Sequence, residues 1–237
     1  MKKWLAAGLL LFFSLGGLWY GVKASDRGFF TPAELGGVSV LIDPGHGGED
    51  GGASAEDVIE KDITLSISHE VRKLLERKGA TVKMTREKEG DAIAEHAPSE
   101  TFNSTRNRKF ADLKLRESMA VELEPDMFIS VHVNAIPEER WRGSQVFYHP
   151  DGNPAGKQLA TSIQGELRDQ LKNTDREAMK ITGVYLLKKV PVPAVLVETG
   201  FLSNPEERKL LSDPAYQKKV AAAIVDGIVK YEHAEEQ

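Results

Sequence analysis

The 237-residue chain contains no cysteine, which excludes disulfides from the fold and thiolates from any metal site. A metal would have to be held by His, Asp or Glu, and the chain has only six histidines. Excess positive charge is confined to the first thirty residues, where Lys2, Lys3, Lys23 and Arg27 against Asp26 give +3 in a chain whose net charge is −5. The remainder, at −8, is too acidic to suit nucleic acid as a partner. Internal repeats are absent. Phosphate-binding signatures are absent too: the glycine-rich PGHGGEDGG, residues 44–52, lacks the G-x-G-x-x-G spacing and a following Gly-Lys-Ser/Thr, and Glu49 and Asp50 would repel an anion.

Long apolar runs are also rare. One, Trp4 to Val22, carries no charge, follows Lys2 and Lys3, and at helical rise is long enough to cross or nearly cross a bilayer. The chain is therefore expected to be exported or anchored. Val22-Lys23-Ala24 resembles a small-residue cleavage site, yet the run exceeds most signal-peptide cores, so residues 1–24 read as either a signal peptide or a membrane anchor. Residues 25–37, with Gly28, Pro32, Gly36 and Gly37, read as a linker, and residues 38–233 as one domain.

Within that domain apolar runs alternate with helical periods. Val38–Ile42 reads as a strand, and Ile63, Ile67, Val71 and Leu74 form one helical face that Gly79 ends. A strand at 80–85, a helix near 106–122 and strands at 127–133 and 143–148 follow, then a helix bearing Leu159, Ile163, Leu167 and Leu171. Val184–Leu187 and Ala194–Val197 read as strands. Asn204-Pro205, with Glu207 completing a capping box, and Asp213-Pro214 open two closing helices. The pattern predicts an α/β fold: a mostly parallel, twisted sheet of about six strands with helices on both faces, preceded by the N-terminal apolar segment. Residues 86–105 are polar and aperiodic, and read as a cleft flap or a floppy insertion.

Three apolar runs each end in a polar residue suited to metal chemistry. VSVLIDPGHGG delivers His46, MFISVHVN delivers His132 and AVLVETG delivers Glu198. Ligands of open α/β sheets bind beyond the carboxyl ends of the strands, so these residues can converge. Two histidines and a carboxylate with one open position make the ligand set of a catalytic zinc. Each residue also has an ordinary reading: His46 as a surface-turn histidine, and His132 as a hydrogen-bonded core residue. Glu60, at the start of the first helix, could simply complement its dipole. Glu56, Asp57 and Asp62 compete with Glu60, and spacing does not choose among them. Glu198 would be costly if buried and unpaired, unless a metal and its water stood beside it. Ser130 and Asn134 are candidates to support the imidazoles. His69, His96, His149 and His233 read as solvated or structural.

The segments VLIDPGHGGEDGGA, the glutamate of IEKDITL, the TR of VKMTRE, LRESMA, PDMFISVHVNA and PAVLVETGFLSNPEE resemble the zinc-dependent N-acetylmuramoyl-L-alanine amidases of the Amidase_3 type over residues 38–232. The resemblance implies that His46, Glu60 and His132 hold one Zn2+ per chain, and that Glu198 is the catalytic carboxylate, taking a proton from water and returning it to the leaving alanine nitrogen. It implies peptidoglycan as substrate, cut between N-acetylmuramic acid and L-alanine. Arg116, in LRESMA, would either orient substrate or be a surface helix residue. About twenty extra residues after the Thr-Arg motif, Asp175-Arg176-Glu177-Ala178 in place of Asn-Arg-Gly, and the lack of a recognisable wall-binding module resemble the germination-specific branch, which acts on spore cortex so that muramic-δ-lactam can form. That branch implies a location outside the cytoplasmic membrane, in the forespore intermembrane space or cortex, and leaves the need for an accessory protein open. The rival readings are a zinc peptidase cutting within the stem peptide and a non-catalytic wall-binding protein.

Overall fold

Strands form at all but one of the apolar runs read as strands, in a computed structural model that describes residues 33–235. The apolar segment of residues 1–24 and most of the 25–37 linker lie outside the described residues. Among the described residues no helix is long and apolar enough to cross a membrane.

The chain runs β1 (Ser39–Pro44), β2 (Ser54–Ala55), β3 (Val58–Ile59), α1 (Glu60–Arg77), β4 (Thr81–Met84), α2 (Ala92–His96), α3 (Thr105–Leu123), β5 (Met127–Asn134), β6 (Gln145–Tyr148), α4 (Gly156–Leu171), β7 (Met179–Lys180), α5 (Tyr185–Lys189), β8 (Ala194–Phe201), α6 (Pro205–Leu211) and α7 (Pro214–Glu235). Six strands make one sheet in the order β4-β1-β5-β8-β6-β7. Its first four strands are mutually parallel; β6 runs antiparallel to β8 and carries β7 parallel to itself. The sheet is thus mixed but mostly parallel, as expected.

Alternation along the central strands divides the core between the two faces. Val40 and Ile42, Met127 and Ile129, and Val195 and Val197 pack with Ile67 and Val71 of α1, Leu159 and Ile163 of α4 and Ile224 of α7. Leu41, Phe128, Ala194 and Leu196 point the other way, onto Ala120 of α3 and Leu186 and Leu187 of α5. Helices on both faces leave the central strands buried on both sides, which explains their near-continuous apolar runs.

Three expectations need correction. Val184–Leu187 is not a strand: Tyr185–Lys189 is the short helix α5, whose Leu186 and Leu187 fill the smaller core. A four-residue apolar run has no readable period, and here the packing decides. Asn204 does cap α6, accepting from the Glu206 and Glu207 amides, but Glu207 does not reach back to complete a capping box. Its carboxylate accepts instead from the Gly143 and Phe201 amides, tying the loop before β6 to the end of β8. Residues 86–105 are ordered rather than a floppy insertion. Asp91 caps α2 and holds Arg108 of α3 in a two-pronged ion pair at 2.6 and 2.7 Å. Glu95 accepts from the Glu87 and Lys88 amides, and the Glu89 carbonyl accepts from the Gly48 amide at 2.8 Å.

Candidate metal centre and active site

The carboxyl ends of β1, β5 and β8 bring the singled-out residues together with the first turn of α1. His46 follows β1 by a two-residue step and is itself in the left-handed region, at φ 63°. Glu60 opens α1 and is 4% exposed. Its carboxylate bridges the two imidazoles, with Oε2 at 3.3 Å from His46 Nε2 and Oε1 at 3.0 Å from His132 Nδ1. Backbone amides fix the bridge, Ala53 N donating to Oε2 and Val133 N to Oε1. The two imidazole rings meet edge to face with centroids 5.0 Å apart.

One ligand atom from each of His46, Glu60 and His132 lies within 4.8 Å of the others. Zinc bonds of about 2.0–2.2 Å at tetrahedral angles put ligand atoms roughly 3.3–3.6 Å apart, close to the distances between Glu60 and its two partners. The chemistry of the set, two imidazoles and one carboxylate, also fits a catalytic zinc. The surrounding backbone is cut to the same shape: a Cβ on Gly45 would meet the His132 ring at 2.4 Å, and one on Gly52 would meet Glu60 Oε2 at 2.5 Å. The residues present therefore fit the metal.

Electrostatics agree with a cation-seeking cluster. Burial acts to raise the Glu60 carboxyl, but hydrogen bonds and charge from His132 and His46 outweigh it and hold the group well below the usual carboxylate range. Burial likewise acts to lower His46, and the Glu60 and Asp50 carboxylates reverse that to a net rise. Glu198 behaves oppositely. Burial, reinforced by the negative charge of Glu60 and opposed by His132 and His46, pushes it up to about 7. Glu198 is the register partner of His132 across the β5–β8 ladder. Its Oε2 is enclosed and has no hydrogen-bond partner among the described residues, which is costly unless something else occupies the space in front of it.

Other residues stand elsewhere than expected. Arg116 is neither a surface residue nor free to reach out: it is 2% exposed, with its guanidinium spent on Asp112, Asp43 and two backbone carbonyls. Ser130 does not support an imidazole; its hydroxyl donates to Asp43. Asn134 ends β5 beyond a register shift, and its carbonyl accepts from the Leu202 amide. The residue the sequence reading passed over is Asp50, considered only as an obstacle to anions. Its Oδ2 pairs with His46 Nδ1 at 3.1 Å and its Oδ1 accepts from Lys109 at 2.7 Å. A carboxylate four residues after the candidate ligand, in a glycine-rich turn, was the available signal. His149 is buried between the Thr182 carbonyl and the Asp151 amide, and His69 and His96 bond backbone carbonyls, so these three are structural. A cavity of about 210 Å³ opens beside His46 and His132, bordered by Asp50, Lys109 and Leu186.

Comparison with known proteins bears on what this cleft does. Residues 40–230 match a family described as N-acetylmuramoyl-L-alanine amidase. The germination-specific N-acetylmuramoyl-L-alanine amidase of Bacillus subtilis is 46% identical over 198 residues, spanning 83% of this chain and 81% of that protein. LytC, an N-acetylmuramoyl-L-alanine amidase of the same organism, is 33% identical over 82% of this chain, which covers 36% of that longer protein. Among solved structures, the CwlD amidase of Clostridioides difficile, determined in complex with the GerS lipoprotein, is similar with a TM-score of 0.77 and 38% identity over 83% of this chain and 99% of that one.

Proposed function

The chain belongs to the Amidase_3 family of N-acetylmuramoyl-L-alanine amidases, and on that premise we propose how its own residues cut the bond and where it does so. The enzyme hydrolyses the amide between N-acetylmuramic acid and the L-alanine of the stem peptide. His46, Glu60 and His132 are the proposed ligands of one zinc per chain, and Glu198 the general base and acid. When bound, zinc would polarise the lactyl carbonyl and lower the pKa of a water toward about 7.

The observation that carries the reading is the enclosed, unpartnered Oε2 of Glu198 on the strand next to His132. A carboxyl whose pKa lies near 7 can both take a proton from water and return one to the leaving nitrogen. Asp50, on His46 Nδ1, keeps the ring's Nε2 turned toward Glu60. The proposed substrate is spore-cortex peptidoglycan, supported by identity to the germination-specific relative and by similarity to CwlD. A lipoprotein partner, as GerS is for CwlD, is proposed on the same likeness.

The domain, residues 38–233, is proposed to work outside the cytoplasmic membrane, delivered by residues 1–24 as signal or anchor. The amino terminus of the protein recovered from sporulating cells distinguishes the two.

Mass spectrometry of cortex and vegetative peptidoglycan digested side by side tests the activity. Intact free stem peptides and bare glycan, released faster from cortex, are the expected products; shortened peptides would mean a peptidase, and no product with zinc retained a wall-binding protein. Glu198→Gln is expected to keep one zinc per chain and lose about 10²–10⁴-fold in turnover. Undiminished turnover would exclude Glu198 from proton transfer.

A further inference from the structure

Two enclosed guanidinium groups lie beneath the turn that carries His46. Arg116 donates from Nη1 to Asp43 Oδ1 at 2.6 Å and to the Pro44 carbonyl at 2.9 Å, from Nε to Asp112 Oδ2 at 2.7 Å, and from Nη2 to the His46 carbonyl at 2.7 Å. Arg86, fully buried, donates from Nε to the Pro44 carbonyl at 3.0 Å and from Nη2 to the Gly45 carbonyl at 3.0 Å. The carbonyls of Pro44, Gly45 and His46 are thus all held from below. Asp43 and Asp112 balance the Arg116 charge, as a buried charge requires. Charge balance alone does not require three successive carbonyls to face inward.

The backbone supplies the reason for that arrangement. His46 is held at φ 63°, a conformation that costs a residue bearing a Cβ some strain unless its surroundings support it. The same turn sends the His46 ring toward Glu60. The rest of the 86–105 segment holds the turn as well: the Glu89 carbonyl accepts from the Gly48 amide, and Asp112, which holds Arg116, also accepts from the Ile93 amide of α2.

We propose that Arg116 is a positioning residue for the metal ligand His46, its guanidinium holding the His46 carbonyl so that the left-handed turn and the imidazole it carries are set before the metal arrives. Arg86 and the 86–105 segment complete the cradle. The inference rests on the reading of His46, Glu60 and His132 as metal ligands. It gives the extra segment a task in holding the His46 turn, and it separates two outcomes. A purely structural ion pair would cost stability and leave metal affinity alone, whereas a positioning residue sets metal affinity.

The experiment uses the full chain in detergent, stripped of metal, with zinc affinity read by competition against a chromophoric chelator at fixed pH. Arg116→Lys keeps the charge and loses the planar fork. It is expected to bind zinc about 10–100-fold more weakly and to shift the visible bands of the cobalt(II)-substituted protein. Val225→Ala, a cavity in α7 away from the site, serves as a destabilised control and is expected to keep the parent affinity and spectrum. Parent affinity and spectrum in Arg116→Lys, or an equal loss in Val225→Ala, overturns the proposal. Should Arg116→Lys fail to fold, Asp112→Asn removes one anchor of the guanidinium isosterically and is expected to weaken zinc by about threefold or more; unchanged affinity there overturns it equally. A parent chain that takes up no zinc sinks the ligand assignment instead, so the two failures are distinguishable.

Discussion

Asp43 balances the buried Arg116 cation beneath the turn that carries His46, and it is 1% exposed. Burial alone would raise its carboxyl, but the Arg116 charge and hydrogen bonds from Ser130 and Thr85 outweigh that and hold it below the ordinary carboxylate value. A depressed folded pKa means that the unfolded chain binds the proton more readily. The group therefore contributes stability above its unfolded pKa of about 3.9, and loses it as pH falls through the lower folded value. Urea midpoints followed from pH 7 to pH 3 are expected to fall, and Asp43→Asn to flatten that decline after a loss on the order of 3–5 kcal/mol at neutral pH. A parent-like slope in the variant would show that other carboxylates govern acid stability. At this scale His46, His132 and Glu198 were legible because each ends an apolar run. The contacts of Arg86 and Arg116 with the turn, and the pairing of Asp50 with His46, were not, since a charged residue in a helix or turn reads as solvated until its partners are known.

Helices α4 and α7 cross on the larger core, and Gly227 of α7 sits where a Cβ would lie 2.5 Å from the Ile163 Cα. That atom belongs to the backbone and cannot swing aside. Gly227→Ala therefore gains helix propensity of up to about 1 kcal/mol but overpacks the crossing, for an expected net loss of about 1–2 kcal/mol. A lowered urea midpoint with an unchanged m-value is the signature, and a raised midpoint would mean that the helices part freely. Long elements were readable, because α1 and α4 repeat their apolar face over several turns. Short ones were harder: α5 offers too few residues for a period, and the polar 86–105 segment is ordered by hydrogen bonds to backbone groups and the Asp91–Arg108 ion pair, with Ala92 and Ile93 its buried apolar residues. Glu207 shows how a local capping pattern can yield to tertiary partners, its carboxylate accepting from the Gly143 amide before β6 and the Phe201 amide at the end of β8.

For the whole molecule, the proposed ligands come from the end of β1, the start of α1 and β5, so a bound metal would pin elements that are far apart in sequence. Binding only the folded state stabilises by about 2.7 kcal/mol when free zinc is a hundred times Kd. For a domain of this size that corresponds to roughly 5–10 °C in Tm. Chelation is expected to lower Tm by that amount and readdition of zinc to restore it; a Tm indifferent to chelator would argue against the centre. The strand register also governs how this protein can change over generations. His132 and Glu198 stand opposite each other on neighbouring parallel strands, and successive side chains alternate between the two faces of the sheet. Inserting or deleting one residue between Met127 and His132, or between Ala194 and Glu198, would send one of the pair to the far face. Residues 137–142, exposed and outside the strands, are better placed to absorb length. The interiors of β5 and β8 can be rewritten only letter for letter.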